Sequence, residues 1–380
     1  MKQQTGLNSP VSRRSVLALV VSGLSGCGGG SGGNLLAALP GTGGTGLFAQ
    51  GAISGFGSVI INGIRFDDTA ASVKLDGRSV GSQDLRLGMV ANVAGVRGVD
   101  LTIGVANTIE VWSIAQGLVS QVQGLQFRVA GMQVLTDAAT VFDGVNAASG
   151  LVDGMRVAVW GLQSSADASR WMATRVSLTA ATPTVSTGMV SAAKTLNGLA
   201  LTGQNATVLL SGQLVRIEGA LSSAGNSLQV ETFRLLSLQE TAMSQGDLEI
   251  EGLVNALMPG SRFMLGNVEV DASNASLALA YAALTIGQRI EVEGVWVGRV
   301  LKAGKLELES DEKLDAAEIE ARIEQFTSLS SFVIRGQHCN ASAATISNGK
   351  ASDLKVGVKV KVKGTKAGDT LMVTKLEFKD

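Results

Sequence analysis

The sequence predicts an all-β protein: a tandem array of small β-barrel modules, about 60 residues each, behind an export signal and a flexible linker. Three observations predict it. A short pattern of leucine, glycine and alternating apolar residues occurs five times along the chain. Within that pattern the apolar residues recur with period two, the spacing of a strand with one face inward. Glycine is abundant and proline scarce, 48 against 4 in 380 residues, so tight corners are plentiful and breaks in strand ladders are few.

The chain opens with Lys2, Arg13 and Arg14, an apolar stretch from Val16 to Val21, and Leu24-Ser25-Gly26-Cys27. Positive charge, a short apolar core and small residues are the order of a secretory signal peptide, here residues 1–26. The core is too short to span a bilayer as a helix. Leu-Ser-Gly-Cys resembles the bacterial lipobox, which implies that Cys27 is the lipidation site, the membrane anchor and the first residue of the mature protein. Ser12-Arg13-Arg14-Ser15-Val16-Leu17 also looks like a twin-arginine signal, so the export route stays open. By the same resemblance Gly28, standing where aspartate would signal inner-membrane retention, implies the outer membrane. Gly28 to Gly33 reads Gly-Gly-Gly-Ser-Gly-Gly, a flexible tether, and residues 27–50 are assigned to the lipidated cysteine and linker.

The repeat then organises everything else. Leu-x-x-Gly, six residues and a second Gly occur as Leu85 with Gly88 and Gly95, Leu151 with Gly154 and Gly161, Leu209 with Gly212 and Gly219, Leu284 with Gly287 and Gly294, and Leu354 with Gly357 and Gly364. The third and fifth residues after each first glycine are apolar, from Ala91 and Val93 to Val360 and Val362. The modules so defined are 51–114, 115–180, 186–238, 247–310 and 317–380, the third being short before its anchor. Each begins with a strand at Gly51, Gly117, Gly188, Gly252 or Ala321. A hairpin follows, clearest at Val59-Ile60-Ile61-Asn62-Gly63-Ile64-Arg65-Phe66, where Asn-Gly between apolar runs is a strong turn signal. A last strand closes each unit, as at Ile109-Glu110-Val111 and Leu376-Glu377-Phe378. About six short strands with glycine at the corners suit a closed barrel resembling oligonucleotide/oligosaccharide-binding (OB) folds, with a two-sheet sandwich as the alternative. Residues 311–317 read as a linker with one helical turn.

Gly55-Phe56-Gly57-Ser58-Val59-Ile60-Ile61-Asn62-Gly63, followed by Asp84-Leu85-Arg86-Leu87-Gly88-Met89-Val90, resembles the bacterial family known as domain of unknown function 5666. The resemblance is carried best by the first copy and least by the third. It implies tandem modules in an envelope protein and implies no activity.

Catalytic and metal chemistry finds little support. His338 and Cys339 are adjacent, and neighbours on a strand face opposite ways, so they cannot form a nucleophile and base. Cys339 aligns with Phe66, Val134 and Val270, a core position. With Cys27 lipidated it has no disulfide partner. One histidine and one spare cysteine cannot make a zinc site, and no cofactor is expected. Gly29-Gly30-Ser31-Gly32-Gly33 matches a nucleophile elbow in composition only, because it lies in the tether. Glu249 with Glu251 and Glu291 with Glu293 alternate on strands, the pattern of a solvated face. Trp160 and Trp296 flank anchor glycines and are the candidates for an exposed stacking surface, with core packing the default. A net charge of -1 gives no basic field, and no nucleic-acid partner is expected. Lys359, Lys361 and Lys363 alternate with valines and predict a cationic strand face for an anionic ligand. The expected function is that of a non-catalytic envelope lipoprotein, structural or binding an envelope protein or polysaccharide. The alternative is an envelope hydrolase with a carboxylate site between modules.

If the reading of the amino terminus is correct, mass spectrometry of the membrane fraction will find a mature chain that begins at acylated Cys27, and Cys27→Ala will release the protein from membranes.

Overall fold

The computed structural model describes residues 46–236 and 246–379, so the export signal, Cys27 and the linker to residue 45 lie outside the described residues. Module 1 contains β1 (Gly46–Phe56), β2 (Val59–Ile61), β3 (Ile64–Asp67), β4 (Ser72–Leu75), β5 (Arg78–Val80), β6 (Val90–Arg97) and β7 (Ile103–Val111). Module 2 contains β8 (Ala115–Gln123), β9 (Gln126–Val129), β10 (Met132–Leu135), β11 (Val141–Asp143), β12 (Arg156–Gln163) and β13 (Arg170–Leu178). Module 3 contains β14 (Thr184–Met189), β15 (Thr195–Leu196), β16 (Leu199–Thr202), β17 (Leu214–Leu221) and β18 (Ser227–Leu235). Module 4 contains β19 (Asp247–Met258), β20 (Arg262–Leu265), β21 (Val268–Asp271), a one-turn helix at Ala278–Ala282, β22 (Arg289–Val297) and β23 (Val300–Leu308). A helical turn at Asp311–Asp315 leads into module 5, with β24 (Ala316–Ser328), β25 (Ser331–Ile334), β26 (Gln337–Asn340), β27 (Thr345–Ser347), β28 (Lys359–Ala367) and β29 (Thr370–Phe378).

Each barrel closes by the same circuit. In module 1, β1 pairs antiparallel with β2 and β2 with β3; β3 runs parallel to β7, which returns through β6 to β1. Modules 2, 4 and 5 repeat it, with the parallel closure at β10–β13, β21–β23 and β26–β29. This is the OB-like barrel and not the sandwich. In module 3 the second strand shrinks to two residues, and among the described residues no ladder joins β14 to β15, so that circuit stays open.

The repeat has a direct structural reading. The leucines of Leu-x-x-Gly and the apolar pairs after the first glycine are buried in all five modules. The two glycines do different jobs. The first always has a positive φ, from 78° at Gly88 to 92° at Gly154, a region costly for any residue with a Cβ. There its N–H donates to a carbonyl of the module's first strand, as Gly88 to Ile53 O at 2.9 Å and Gly357 to Ile323 O at 2.8 Å. The second glycine sits at a register shift between the last two strands, where a Cβ would stand only 1.8 to 2.3 Å from a carbonyl oxygen across the ladder.

One boundary needs correction. Residues 46–50, assigned to the linker, are strand. Their burial follows from a position between two barrels: Leu47 and Ala49 enter the core of module 1, while Phe48 enters that of module 4. β1 pairs with β6 on one edge and runs parallel to β19 on the other, Leu47 opposite Asp247 and Gln50 opposite Ile250. Further along, Gly55 and Phe56 pair parallel with Glu318 and Ile319 of β24. Modules 2, 3 and 4 each have a core of their own, and modules 1 and 5 share a continuous one, to which Val141, Ala158 and Trp160 of module 2 also contribute.

Arginines tie module 1 to the others. Arg175 of module 2, buried, donates to Leu87 O at 3.1 Å and pairs with Asp143. Arg216 of module 3 donates to Ser113 O at 2.7 Å and to Asp76 at 2.8 Å. Arg335 of module 5 donates to Ser82 O at 2.6 Å and lies 4.3 Å over the ring of Phe56. Arg97 reaches from module 1 into module 4.

The two glycine roles separate experimentally. Gly154→Ala meets nothing within 4 Å and bears only the backbone cost, about 1–2 kcal/mol. Gly161→Ala must push a carbonyl aside and will lower thermal stability more than Gly154→Ala does in the same melting assay.

Candidate functional site

On β19 and β22 the alternation sends Leu248, Ile250, Ile290 and Val292 into the barrel and Glu249, Glu251, Glu291 and Glu293 outward. The antiparallel register sets Glu249 opposite Glu293 and Glu251 opposite Glu291. The sequence predicts a solvated face here. The structure overturns that: Glu249 is 1% exposed, Glu251 7% and Glu291 6%. The outer face of module 4 is covered by module 1, whose β1 runs alongside β19 and whose β2–β3 turn lies over it.

Facing carboxylates repel, and the compensation comes from Arg97 of the covering module together with Lys305 and Arg289 of module 4 itself. Arg97 pairs with Glu249 and approaches Glu293 at 3.4 Å. Lys305 pairs with Glu293 at 2.8 Å. Glu251 pairs with Arg289 and accepts the Ala52 N–H at 2.8 Å. Asn62, at the β2–β3 turn, donates to Gln50 O at 3.1 Å. The carboxylate oxygens of Glu249, Glu291 and Glu293 lie within 4.8 Å of one another, the donor set of a hard cation. Arg97 and Lys305 already supply positive charge there, so the set reads as internally compensated.

Beside this cluster a cleft of about 580 Å³ opens where modules 1, 4 and 5 meet. Arg65 and Lys363 on its wall pair with Glu318, and Lys313 with Glu307 and Glu309. Two groups on the wall, Glu291 and Lys366, have no ion-pair partner among the described residues. Burial, then Glu249, Glu309 and Glu307, push the Glu291 carboxyl up to about 9. Burial pushes Glu249 up to about 7 against the pull of Arg97. Burial and then Arg289 bring the Lys366 ammonium down to about 8. At neutral pH the cleft wall therefore carries a neutral Glu291 acid, whose proton is directed to Glu249, and a Lys366 cation that makes no ion pair and is drawn by the Glu251, Asp315 and Asp137 carboxylates.

The other candidates fall elsewhere. Lys359, Lys361 and Lys363 do share one face, and each is paired: Lys359 with Glu320 at 3.0 Å, Lys361 with Glu318 at 2.7 Å, Lys363 with Glu318 at 2.6 Å. The acids come from β24, which lies against β28 with Glu318 opposite Lys363. That face is charge-balanced, not a bare cationic one. Cys339 is buried opposite Phe332, in the register that Phe66 takes opposite Val59, and burial pushes its thiol up to about 12. His338 faces outward. Trp160 is buried in the core shared by modules 1 and 5, and Trp296 is half-buried on the core of module 4, so neither makes an open stacking surface. Cys27 and the Gly29–Gly33 run lie outside the described residues.

Residues 116–177 and 320–377 match the family described as Domain of unknown function (DUF5666). The matches fall on modules 2 and 5, whereas the sequence resemblance is read mainly on module 1. Among solved structures, the wild-type single-stranded DNA binding protein from Thermus aquaticus is 20% identical, covering 29% of this chain and 68% of its own, with a TM-score of 0.14. A deletion mutant of the same protein is 21% identical, covering 29% and 69%, with a TM-score of 0.14. Drosophila Unr CSD456 is 10% identical, covering 45% and 79%, with a TM-score of 0.15. No curated protein matches.

The raised carboxyls fix a pH dependence. The folded protein holds protons on Glu291 and Glu249 that the unfolded chain releases near pH 4.5. Stability from these groups is therefore full below that pH and is lost as pH rises through the folded values, about 7 and about 9. Melting temperatures measured from pH 5 to pH 8, below the range where Lys366 contributes, will fall with rising pH, and Glu291→Gln will flatten most of that fall.

Proposed function

We propose that this is a non-catalytic binding protein of the bacterial cell envelope, held at the membrane by lipid on Cys27, with its ligand seat in the cleft between modules 1, 4 and 5. The observation that carries the reading is the pairing pattern on the cleft wall: Arg65, Lys313 and Lys363 are matched in ion pairs, while among the described residues Lys366 makes none. A cleft of about 580 Å³ is large enough for a sugar unit or two. Lys366 suits a ligand carboxylate, Glu291, whose proton goes to Glu249, can accept from a ligand hydroxyl, and Ser54, Asn62, Thr365 and Thr374 add polar contacts. An acidic polysaccharide of the envelope has that chemistry.

The second reading, a hydrolase with carboxylates between modules, draws support from the convergence of Glu249, Glu291 and Glu293. Glycoside hydrolysis needs two carboxyls flanking one bond. Here Glu249 is tied to Arg97 away from the cleft, and the carboxylates that line the cleft beside Glu291, those of Glu251, Glu309 and Glu318, are held in ion pairs with Arg289, Lys313, Lys361 and Lys363. Binding is the better fit.

Calorimetric titration of the full chain with a uronic-acid oligosaccharide and with its neutral counterpart tests both readings. Binding of the acidic sugar, weakened about tenfold or more by Lys366→Met, with no sugar cleaved, is expected. Equal binding of both sugars, or no change in Lys366→Met, defeats the proposal. Cleavage abolished by Glu291→Gln establishes the hydrolase instead.

A further inference from the structure

The β6–β7 hairpin of module 1 ends in a loop whose side chains are apolar and turned outward. Val99 is 98% exposed and Leu101 63%, and Val96, Ile103 and Val105 continue the same outer surface. The loop is held firmly. Gly98 N–H donates to Ile103 O at 2.8 Å, Arg97 Nε to Leu101 O at 3.0 Å, and the Asp100 carboxylate accepts from the N–H and hydroxyl of Thr102 at 2.9 and 2.7 Å. Outward valine and leucine are thus built in, and water gains nothing from them.

The same hairpin recurs in every module; module 4 also exposes Val295 and Val297 beside its Gly298-Arg299 turn, and the other three copies make an internal control. Its loop is Ser164-Ser165-Ala166-Asp167-Ala168-Ser169 in module 2, Ser222-Ser223-Ala224-Gly225-Asn226 in module 3 and Gly368-Asp369 in module 5. Those loops are small and polar. Module 1 is also the module the tether enters: Gly46, where β1 begins, is paired with Val96 at the base of this loop. Gly46 stands nineteen residues after Cys27, a span of at most about 65 Å when fully extended.

We propose that the β6–β7 loop of module 1 is a membrane-docking tip, its Val99 and Leu101 side chains entering the interfacial zone of the bilayer that holds the lipid on Cys27. This rests on the lipid-anchor reading given above. The partner is a zwitterionic lipid surface, since Asp100 at the tip carries negative charge and Arg97 is committed to Glu249. Docking adds a second point of attachment to the lipid on Cys27 and fixes which face of module 1 meets the membrane.

The chain offers a clean probe position, because Cys339 is buried and Cys27 is acylated in the lipidated protein. The full chain is prepared with Val99→Cys, and separately with Ser223→Cys in the polar loop of module 3, each labelled with an environment-sensitive fluorophore and placed on phosphatidylcholine vesicles containing doxyl lipid. Mass spectrometry of the same samples reports whether Cys27 is acylated. The expected result is a blue-shifted, doxyl-quenched signal from position 99 and a solvent-like signal from position 223. A solvent-like signal from position 99 overturns docking whether or not Cys27 carries lipid. A buried signal that depends on protein concentration and not on doxyl lipid makes the loop an interface between copies, which also overturns it. Quenching at 99 that persists in a chain also carrying Cys27→Ala supports docking while removing the anchor. In the unlabelled protein, Val99→Asp with Leu101→Asp changes two exposed positions that the fold does not use, and a matching loss of vesicle retention after delipidation is expected.

Discussion

A strand with both edges in use is the constraint from which the rest of this architecture follows. β1 gives one edge to β6 and needs a partner for the other, and β19 supplies it across the Leu47 to Gln50 stretch. Peptide groups buried without partners would each cost free energy comparable to a lost hydrogen bond. Phe48 adds the same demand in apolar form, since its ring lies in the core of the neighbouring barrel. Module 1 is therefore complete only when module 4 lies against it, and the pairing of Gly55 and Phe56 with β24 brings module 5 to the same strand. The chain is five barrels by topology, yet module 1 has no independent boundary.

The electrostatics follow from that assembly. Laying module 1 over the outer face of module 4 removes Glu249, Glu251 and Glu291 from water, which is expensive unless they are paired or protonated. Both solutions are used: Arg97 and Arg289 pair, and Glu291 keeps its proton. The cleft between modules 1, 4 and 5 is the remainder of the same interface, the place where three convex barrels cannot fill the space between them. Its character as a site derives from packing geometry as much as from the residues on its wall.

The sequence was legible wherever the cause lay within a module. Period-two alternation after each anchor glycine places Val157, Val159, Val360 and Val362 in cores because a strand's two faces are decided locally. It could tell that the two anchor glycines matter, and not that one serves a left-handed corner and the other a close carbonyl. Whatever depends on which module lies beside which was not legible. Glu249 and Glu291 look solvated because their strands alternate as a surface face does, and the cover comes from residues some two hundred positions earlier. Residues 46–50 look like linker because glycine surrounds them, though Leu47-Phe48-Ala49 is buried on both faces. The signal for the lysine face was present: Glu318 and Glu320 alternate as Lys359, Lys361 and Lys363 do, and an antiparallel register matches the two rows.

The pairing of Leu47 with Asp247 also bears on how the chain acquires its structure. Contacts between residues so distant in sequence close late, because the entropy of bringing them together has to be met before they reward it. Modules 2 and 3 can form their local hairpins while β1 still has a bare edge, and a bare edge carrying Leu47, Phe48 and Ala49 invites pairing with another chain. Quality control of this protein is thus concentrated at one strand: until the fourth barrel arrives, the first is the place where the nascent molecule is open to aggregation or to capture by a chaperone.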